Sequence, residues 1–297
     1  MVLLRWIPLL TAAAAFAQPS LTGVIDFHVH ADPDSMPRSI DALDLARLAR
    51  QRGMRGLVLK NHYESTAALA YVVRKEVPGI EIFGGIDLNR TVGGINPAAV
   101  ERMTMMKGGW GRVVWMPTFD AENQVRYSKE QRPFVAVSRG GRLLPEVVEV
   151  IALAAKHGLT LETGHSSAEE CLMIVRQAHR QGVAHIVVTH AMLPPVSMTV
   201  AQMRAAAAEG AYLEFVYNGL IGPNKSNSMR DYADAIRQVG PRWCLLASDL
   251  GQPTNPLHPD GLAAFFAGLM REGISASDVA LMSKTNPARA LGLPENY

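Results

Sequence analysis

The sequence predicts an α/β protein that folds as a single (β/α)₈ TIM barrel with an insertion after strand 4. Eight short apolar runs alternate with amphipathic segments along the 297 residues, an alternation typical of parallel strands joined by helices. Several runs are rich in Val, Ile and Leu and apolar on both faces, as in strands covered on both sides. Because no glycine-rich phosphate loop follows the first run, an open dinucleotide-binding sheet is disfavoured.

The predicted strands and helices are joined by short connections, with one exception. The strands are expected at residues 24–30, 56–62, 80–87, 112–117, 159–165, 185–190, 211–217 and 243–249. The helices are expected at 40–52, 66–76, 97–107, 145–157, 168–181, 199–209, 229–239 and 259–272. The exception is the polar stretch 118–144, which is expected to form a hairpin over the barrel mouth.

The composition favours one domain that follows a removable leader. A hydrophobic content of 48% suffices for one large core over residues 18–297. Arg5, the apolar run 6–15 and the small-x-small site that ends at Ala17 predict a signal peptide at residues 1–17, which implies a periplasmic or secreted protein. The apolar run is too short to span a bilayer, so no membrane span is expected after cleavage.

Charge and cysteine content indicate which partners and which covalent cross-links to expect. The formal net charge of +2 is spread along the chain without a basic run, which argues against a nucleic-acid partner. Cys171 and Cys244 are expected to be buried apolar residues rather than a disulfide, because a chain of this size has its own core. A homo-oligomer is compatible with the sequence, which does not fix the number of subunits.

Four histidines and one aspartate fall at the C-terminal ends of predicted strands, the edge at which barrel active sites form. The first strand ends in a His-x-His pair, His28 and His30, and alternation along a strand places both imidazoles on one face. The fifth strand ends at His165, the sixth at His190 and the eighth at Asp249. Because parallel strands end at the same rim, these side chains are expected to meet there.

Four imidazoles and one carboxylate form a ligand set suited to a divalent metal, and Zn²⁺ is the expected ion. A single histidine would be explained equally well as a hydrogen-bonded core residue. The joint position of all five residues at strand ends favours a metal site. The sequence leaves open whether the site holds one ion or two.

This ordered set resembles the amidohydrolase superfamily of metal-dependent hydrolases, with His-x-His on strand one, histidines on strands five and six, and an aspartate on strand eight. The Asn-Pro-Ala segment that begins at Asn286 is similar to one near the end of those proteins. The resemblance covers nearly the whole chain after residue 17. It is greatest to poorly characterised members with a Gly-His-Ser pattern on strand five, here at Gly164, His165 and Ser166.

The resemblance implies a role for each residue of the set. His28 and His30 would hold the more buried metal, with Asp249 beside it. His165 and His190 would hold a second metal, or one of them would bind or polarise the substrate. Asp249 would take a proton from the attacking water and carry it to the leaving group, so that Asp249 and His190 are the candidate catalytic residues.

The fourth strand departs from the family pattern, because many members with two metals carry a bridging Lys or Glu there and this strand ends in neither. Lysine occurs instead on the second strand, where Lys60 and His62 share a face. Lys60 has three interpretations: a carboxylated bridging ligand, a cation for an anionic group of the substrate, which is slightly favoured, or a structural ion-pair partner. His62 is an additional ligand or a hydrogen-bond donor behind the ligands.

Three further residues have two interpretations each. Asn218 follows the seventh strand and either contacts the substrate or hydrogen-bonds a loop. His258 either reaches the barrel mouth or caps a loop. Glu162 is either a carboxylate ligand, which would need a bulge in the strand, or a residue that faces the helices, as its opposite strand parity to His165 predicts.

The predicted function is hydrolysis of an amide, ester, lactone or related bond of a small molecule by metal-activated water. A metal-dependent decarboxylase on the same scaffold is the first alternative. A phosphoesterase is another, which Lys60 and His62 weakly support. A protein that binds a metal or small ligand without catalysis is disfavoured by Asp249, because storage needs no base beside the metal.

Overall fold

Eight parallel strands form one sheet in the computed structural model, which describes residues 19–295. The predicted signal peptide at 1–17 lies outside the described residues. The strand order is β1-β2-β3-β4-β7-β8-β9-β10. In chain order these strands are Ile25–Val29 (β1), Gly56–Leu59 (β2), Glu81–Asp87 (β3), Gly111–Trp115 (β4), Thr160–Glu162 (β7), His185–Val188 (β8), Tyr212–Val216 (β9) and Cys244–Ala247 (β10).

The sheet closes on itself where β1 meets β10. Val29 forms a parallel bridge with Leu250, just beyond β10. The backbone N–H of His30 donates to the Leu250 carbonyl at 3.0 Å, and that of Asp249 donates to the His28 carbonyl at 2.9 Å. The (β/α)₈ fold predicted from the sequence is confirmed. Closure places the first and last strands, which carry three of the predicted ligands, side by side.

Helices surround the barrel along the described residues, eight of them in the positions that the amphipathic segments predicted and three where none was predicted. They are Ala42–Gln51 (α1), Ala67–Glu76 (α2), Pro97–Thr104 (α3), Glu122–Tyr127 (α4), Pro145–His157 (α5), Ala168–Arg180 (α6), Val200–Ala208 (α7), Met229–Val239 (α8), His258–Arg271 (α9), Ala276–Ala280 (α10) and Asn286–Ala290 (α11). The three that were not predicted are α4, α10 and α11. A π-helical turn, Leu281–Thr285, joins the last two. Over residues 19–295, every helix is too short or too polar to cross a membrane.

The helix ends are fixed by local sequence signals. The Asp41 side chain accepts hydrogen bonds from the backbone N–H groups of Leu43 and Asp44 at the start of α1. Ser167 and Glu170 form a reciprocal capping box at the start of α6. Both arrangements satisfy N–H groups that lack partners within the helix, so the helices begin where the sequence placed them to within two residues.

The barrel interior is filled partly by Trp115 of β4, which is only 1% exposed. Its ring occupies the space beside Gly85 of β3, where an added Cβ would lie 2.4 Å from Trp115 Cζ3 and 2.2 Å from the Val113 carbonyl oxygen. Any side chain at position 85 would therefore displace the indole or the strand. Close packing of this kind gives the side chains at the barrel rim a rigid support.

The two cysteines lie apart from the rim chemistry. Cys171 on α6 and Cys244 on β10 are both buried and unbonded to each other. Burial raises the pKa of the Cys171 thiol to about 12, which makes it a poor nucleophile or metal ligand. The prediction that both behave as small apolar residues is confirmed.

The insertion after β4 differs in part from the expectation. It contains the helix α4 and a two-stranded hairpin, Ser138–Arg139 (β5) and Arg142–Leu143 (β6). The hairpin lies against α6, where Ser138 Oγ donates to Glu170 Oε1 at 2.7 Å. The prediction of a hairpin over the mouth was wrong in its position, because no residue of β5 or β6 lines the cavity at the mouth. The helix α4 reaches the mouth instead, through Gln124 and Tyr127.

Candidate metal centre

Seven of the eight barrel strands end one to three residues earlier than predicted, so most candidate ligands lie on the loops just beyond them. β7 ends at Glu162, β8 at Val188 and β10 at Ala247. The chain then turns inward through residues with positive φ: Gly164 at 61°, His190 at 25° and Asp249 at 52°. Non-glycine residues rarely adopt this conformation, and strain of this kind concentrates at functional sites.

Gly164 is required for the turn that brings His165 into the barrel. An added Cβ at this position would lie 2.1 Å from the Met116 carbonyl oxygen and 2.4 Å from that of Pro117. The close approach allows the backbone N–H of His165 to donate to the Pro117 carbonyl at 2.9 Å. The glycine of the Gly-His pattern is therefore needed for the backbone conformation that positions His165.

A cavity of about 510 Å³ opens at this rim, a size suited to a small molecule. Every residue that the sequence placed in the site contributes to its wall: His28, His30, Lys60, His62, His165, His190, Asn218 and Asp249. The structure thus brings the predicted residues together, in two groups with different surroundings.

The first group, here the barrel cluster, consists of His28, His30 and Asp249. Asp249 Oδ1 lies 3.2 Å from Nε2 of each imidazole, and one potential ligand atom from each residue falls within 4.8 Å of the other two. Two ligand atoms bound at 2.0–2.1 Å to one tetrahedral ion are roughly 3.4 Å apart. The cluster therefore has the donor set and the spacing to hold a divalent metal.

Hydrogen bonds behind the barrel cluster fix the orientation of both rings. His30 Nδ1 donates to the Lys60 carbonyl at 3.1 Å, and His28 Nδ1 donates to Glu214 Oε2 at 3.2 Å. Each bond leaves the Nε2 lone pair directed at Asp249 and the cavity. Partners of this kind set the tautomer and the ring angle of metal-binding histidines.

His258 supports the same cluster from outside the cavity. It is fully buried at the start of α9, and its Nε2 donates to the carbonyls of His30 and Leu250 at 3.0 and 2.9 Å. These contacts hold the loop after β1 against the loop after β10. Of its two interpretations, the structure supports the loop cap.

The charge states of the barrel cluster are those that metal binding needs. Burial, reinforced for His28 by the Lys60 ammonium, lowers the pKa of both His28 and His30 to about 3. Burial alone would raise the pKa of Asp249, but the adjacent imidazoles hold it well below its usual range. At neutral pH the two imidazoles are neutral and the carboxylate is ionised, as ligation requires.

The second group, here the rim pair, consists of His165 and His190. Their Nε2 atoms are 3.1 Å apart, again the separation of two ligand atoms on one ion. His165 Nδ1 donates to Gln124 Oε1 of α4 at 2.8 Å. Burial lowers the pKa of His190 to about 4 and that of His165 well below its usual value, so both rings are neutral at pH 7.

The tautomers of the rim pair follow from these contacts. Because Gln124 holds the proton of His165 on Nδ1, the Nε2 of His165 is an acceptor, and His190 must supply the proton between the rings. His190 Nδ1 is then a buried acceptor, and no residue in 19–295 donates to it. A cation bound by both Nε2 atoms would replace the hydrogen bond between the rings and leave the His190 proton on Nδ1.

Lys60 lies deep in the site, with a relative exposure of 2%. Its Nζ is 3.2 Å from His28 Nε2 and 3.8 Å from Asp87 Oδ2. These contacts support the ion-pair interpretation and also place the lysine next to a candidate ligand atom. The substrate-cation and carboxylated-ligand interpretations stay predictions.

His62 and Asn218 occupy supporting positions. His62 Nδ1 lies 2.8 Å from Thr118 Oγ1 and its ring stacks on Phe119 at 3.8 Å between centroids. Asn218 Nδ2 donates to Asp249 Oδ2 at 3.2 Å, while its Oδ1 accepts from a loop residue, Asn255, at 3.1 Å. Asn218 thus orients the predicted base and ties it to the loop after β10.

Comparison with known proteins places the chain in a family. Residues 23–214 match the model of a family of unknown function, DUF6282. The chain belongs to this family. No match among the curated proteins reaches significance.

Several solved structures have a fold similar to that of this chain. An organophosphorus hydrolase from Deinococcus radiodurans is 17% identical, with a TM-score of 0.63 over 92% of this chain and 94% of that one. An amidohydrolase from Pseudomonas aeruginosa is 13% identical, with a TM-score of 0.61 over 91% and 95%. An N-acetyl-D-glucosamine-6-phosphate deacetylase from Mycobacterium smegmatis is 18% identical, with a TM-score of 0.58 over 92% and 77%. These structures share the (β/α)₈ fold with this chain, as the resemblance seen in the sequence implied.

Glu214 and Gln124 are site residues that the sequence did not reveal as such. Glu214 accepts hydrogen bonds from His28 Nδ1 and from the backbone N–H of His190 at 2.9 Å, so it touches both groups. A glutamate in the middle of an apolar strand was the available signal, because buried carboxylates need partners. Gln124 carried no signal, since nothing local shows that α4 reaches the rim.

Glu162 points into the barrel, so the expectation that it faces the helices was wrong. Its Oε2 accepts a hydrogen bond from Thr189 Oγ1 at 2.8 Å. Its carboxyl group interacts electrostatically with Glu214, Lys60 and Asp87. The turn at Gly164 changes the alternation between positions 162 and 165, because its positive φ lies outside the strand conformation. Both side chains can therefore face inward.

Glu162 belongs to a buried acidic layer together with Asp26, Asp87 and Glu214. All four are at most 1% exposed. Burial raises the pKa of Asp26, Asp87 and Glu214 to about 7 and that of Glu162 well above its usual value. The layer therefore carries protons near neutral pH, since only one ammonium, Lys60, acts on it directly within the described part of the barrel interior.

Proposed function

We propose that this protein is a metal-dependent hydrolase that cleaves an amide, ester, lactone or related bond of a small molecule. The observation that carries the proposal is the convergence of His28 Nε2, His30 Nε2 and Asp249 Oδ1 at 3.2 Å spacings in a cavity of about 510 Å³. Neutral imidazoles and an ionised carboxylate in one enclosed site form a suitable metal centre.

We propose Zn²⁺ as the ion, because imidazole and carboxylate donors at tetrahedral spacing suit it well. His28, His30 and Asp249 would hold it, and His165 with His190 would hold a second ion or contact the substrate. The ion would supply Lewis acidity, which polarises a carbonyl or phosphoryl oxygen and lowers the pKa of water. Side chains of this protein would carry out the proton transfer and orient the substrate.

Asp249 is the proposed base. Its carboxylate is ionised at neutral pH because neighbouring imidazoles lower its pKa, so it can accept a proton from water and return it to the leaving group. Asn218 donates to its second oxygen at 3.2 Å and keeps the first oxygen directed at the histidines. The positive φ of Asp249 fixes the backbone in the same orientation.

His190 is the proposed group that polarises the substrate. Its ring is held beside His165 and its backbone by Glu214, so it has little freedom to turn away. Side chains that are fixed before the substrate binds need no reorganisation during the reaction.

The names of the structural neighbours support hydrolysis in general. They include an organophosphorus hydrolase, an amidohydrolase and a deacetylase, and an organophosphate-hydrolysing enzyme engineered from a weak promiscuous lactonase. At such low sequence identity, the shared fold does not identify the bond that this protein would cleave, which has to be found by experiment.

The test combines metal analysis with a substrate panel. Purified protein is expected to contain a divalent metal by elemental analysis and to hydrolyse at least one of a set of lactones, aryl esters, amides and phosphotriesters. Removal of the metal by a chelator should abolish turnover, and restoring it should bring turnover back. Incorporation of oxygen from ¹⁸O-labelled water into the product would separate hydrolysis from decarboxylation, which releases carbon dioxide without consuming water.

Asp249→Asn is the variant that tests the base. We expect turnover to fall below detection while the circular dichroism spectrum and melting profile stay near those of the unchanged protein. Asp234→Asn, on the exposed face of α8, is the matched control and should keep full activity. Unchanged turnover in Asp249→Asn would remove the residue from the mechanism.

We also propose export, supported by the signal-peptide pattern at residues 1–17. Mass spectrometry of the protein from its native host should show an N-terminus close to residue 18. A mature chain that begins at Met1 would contradict export by cleavage.

A further inference from the structure

Arg38 lines the same cavity as the candidate ligands and was not singled out by the sequence pattern. Its side chain is 3% exposed, which is unusual for an arginine. We infer that Arg38 binds an anionic group of the substrate, a carboxylate or a phosphate-type oxyanion. The inference rests on the proposed function for the identity of the substrate, but the site itself can be tested without turnover.

Asp34 holds one edge of the Arg38 guanidinium. Nε donates to Asp34 Oδ2 at 2.8 Å, and Nη2 lies 2.7 Å from the same oxygen. The Asp34 carboxylate is fully buried, and its other oxygen accepts from the backbone N–H of Met36 at 3.1 Å. The arginine is therefore fixed in orientation before any ligand arrives.

The opposite edge of Arg38 remains available. A guanidinium has five N–H donors, and Nε is the one that donates to Asp34 Oδ2. Nη2 is close to the same oxygen but forms no hydrogen bond with a described residue. No hydrogen bond to Nη1 is formed by any residue between 19 and 295. Nη1 and the outer N–H of Nη2 form the planar fork that recognises two oxygens of one carboxylate or phosphate.

The loop that carries Arg38 is itself fixed to the barrel. The backbone N–H of Ser39 donates to the Gly251 carbonyl at 2.8 Å, which ties this loop to the one after Asp249. The N–H of Asp32 donates to the Ile40 carbonyl at 3.0 Å, which closes the loop at its base. A binding group on a rigid loop loses little entropy when its ligand binds.

The position of Arg38 is close enough for one small molecule to reach both it and the metal centre. Arg38 lines one cavity of about 510 Å³ together with His28, His30 and Asp249. Lys60 is a weaker candidate for the same task, because its ammonium is buried between His28 and Asp87. Arg38 is therefore the stronger candidate for the substrate cation, which the sequence pattern slightly favoured at Lys60.

The other residues that line the cavity indicate the chemical character of the rest of the substrate. Met36, Phe119 and Leu193 supply apolar surface, and Lys225 adds a second cation at the exposed edge. The substrate class that fits is a small molecule with an apolar body, a hydrolysable bond and an oxyanion.

The test measures binding of three unreactive probes by isothermal titration calorimetry: benzoate, phenylphosphonate and the neutral benzamide. We expect the unchanged protein to bind at least one anion more tightly than benzamide. Arg38→Met should weaken anion binding roughly 10–100-fold, the usual range for hydrogen bonds to charged groups, and leave benzamide unaffected. Arg38→Lys should recover only part of the affinity, because a lysine lacks the planar fork. Tighter binding of benzoate would indicate a site for a carboxylate, and tighter binding of phenylphosphonate a site for a phosphate-type group.

Arg126→Met is the matched control, since Arg126 lies on α4 with a side chain 68% exposed; it should bind all probes normally. If Arg38→Met is poorly folded, the double variant Asp34→Asn/Arg38→Met removes both buried charges and gives the same comparison. Anion binding that survives in these variants, that is lost only when a chelator removes the metal, or that is absent from the unchanged protein would overturn the inference.

These results separate the inference from the proposed function. An unchanged protein that hydrolyses neutral esters but binds anions independently of Arg38 would sink the inference alone. One that binds anions through Arg38 yet hydrolyses nothing in the panel would sink the proposed function alone.

Discussion

The barrel cluster and the rim pair contain similar ligands but are held by different parts of the molecule. The rings of His28 and His30 are fixed by Glu214 and by a backbone carbonyl, both supplied by barrel strands or their ends. The His165 ring is fixed by Gln124, which comes from the insertion, and His190 Nδ1 has no partner among residues 19–295.

This difference indicates that the two groups have unequal rigidity. The barrel cluster can change only if the barrel itself deforms, because every hydrogen bond behind its imidazoles comes from the closed sheet and its rim. The ring of His165 in the rim pair can change with α4 alone, because one glutamine holds it. We therefore expect the barrel cluster to bind a metal more tightly and the rim pair to adapt to ion or substrate.

The strongest test of the comparison is His28→Ala. We expect metal content and turnover to fall by more than the roughly 10–100-fold typical of losing an outer partner, because a ligand itself is removed. Elemental analysis and turnover measure the effect, and His179→Ala, with a side chain 58% exposed on α6, is the control. Undiminished metal content would take His28 off the ligand list.

Glu214→Gln is expected to have the next largest effect. Glu214 contacts a residue of each group, so its loss should weaken metal binding at both, roughly 10–100-fold as for other partners behind metal ligands. Competition with a metal-sensitive dye would give the affinity, with Glu149→Gln on the surface of α5 as the control. A loss confined to one group would show that Glu214 does not couple them.

Gln124→Ala is expected to affect the rim pair only. Without the acceptor on α4, His165 can turn, so turnover should fall by about 10-fold, the lower end of the range for such partners. The most tightly bound metal should stay in place by elemental analysis. Equal loss of all metal would contradict the independence of the two groups.

Glu162→Gln tests the acidic layer beneath both groups through stability. The pKa of Glu162 is raised by burial, so the folded protein holds a proton that the unfolded chain releases above a pH of about 4.5. Stability from this group is therefore lost as pH rises toward its raised pKa. We expect Glu162→Gln to gain melting temperature relative to the unchanged protein between pH 5 and 8, with the gain increasing with pH.

Glu149→Gln serves as the control for that series as well, since Glu149 is exposed on α5. Its melting temperature should differ from that of the unchanged protein by the same small amount at every pH. A pH-independent difference in Glu162→Gln would mean that Glu162 is already ionised in the folded protein.

Much of the site could be predicted because it depends on local sequence. His28 and His30 alternate along one strand, and His165, His190 and Asp249 each follow an apolar run that any parallel barrel would end at one rim. Glu162 shows the limit of this reasoning. Alternation placed it outside, but a single positive φ at Gly164 changed the alternation at the next residues.

Other features depend on contacts between distant segments. Gln124 reaches His165 across 41 positions, and Glu214 reaches His28 across 186. Arg38 and its partner Asp34 are near in sequence, yet only the folded structure shows that Arg38 lines the cavity beside the candidate ligands.

The sequence by itself determined the closed barrel, the rim and the identity of five candidate ligands, because hydrophobic periodicity and strand ends are local properties. Tertiary structure alone decided which partners hold each imidazole, which carboxylates face the interior and which cations line the cavity. These depend on side chains from different strands sharing one low-dielectric space, where pKa values and tautomers are set by neighbours that no local pattern specifies.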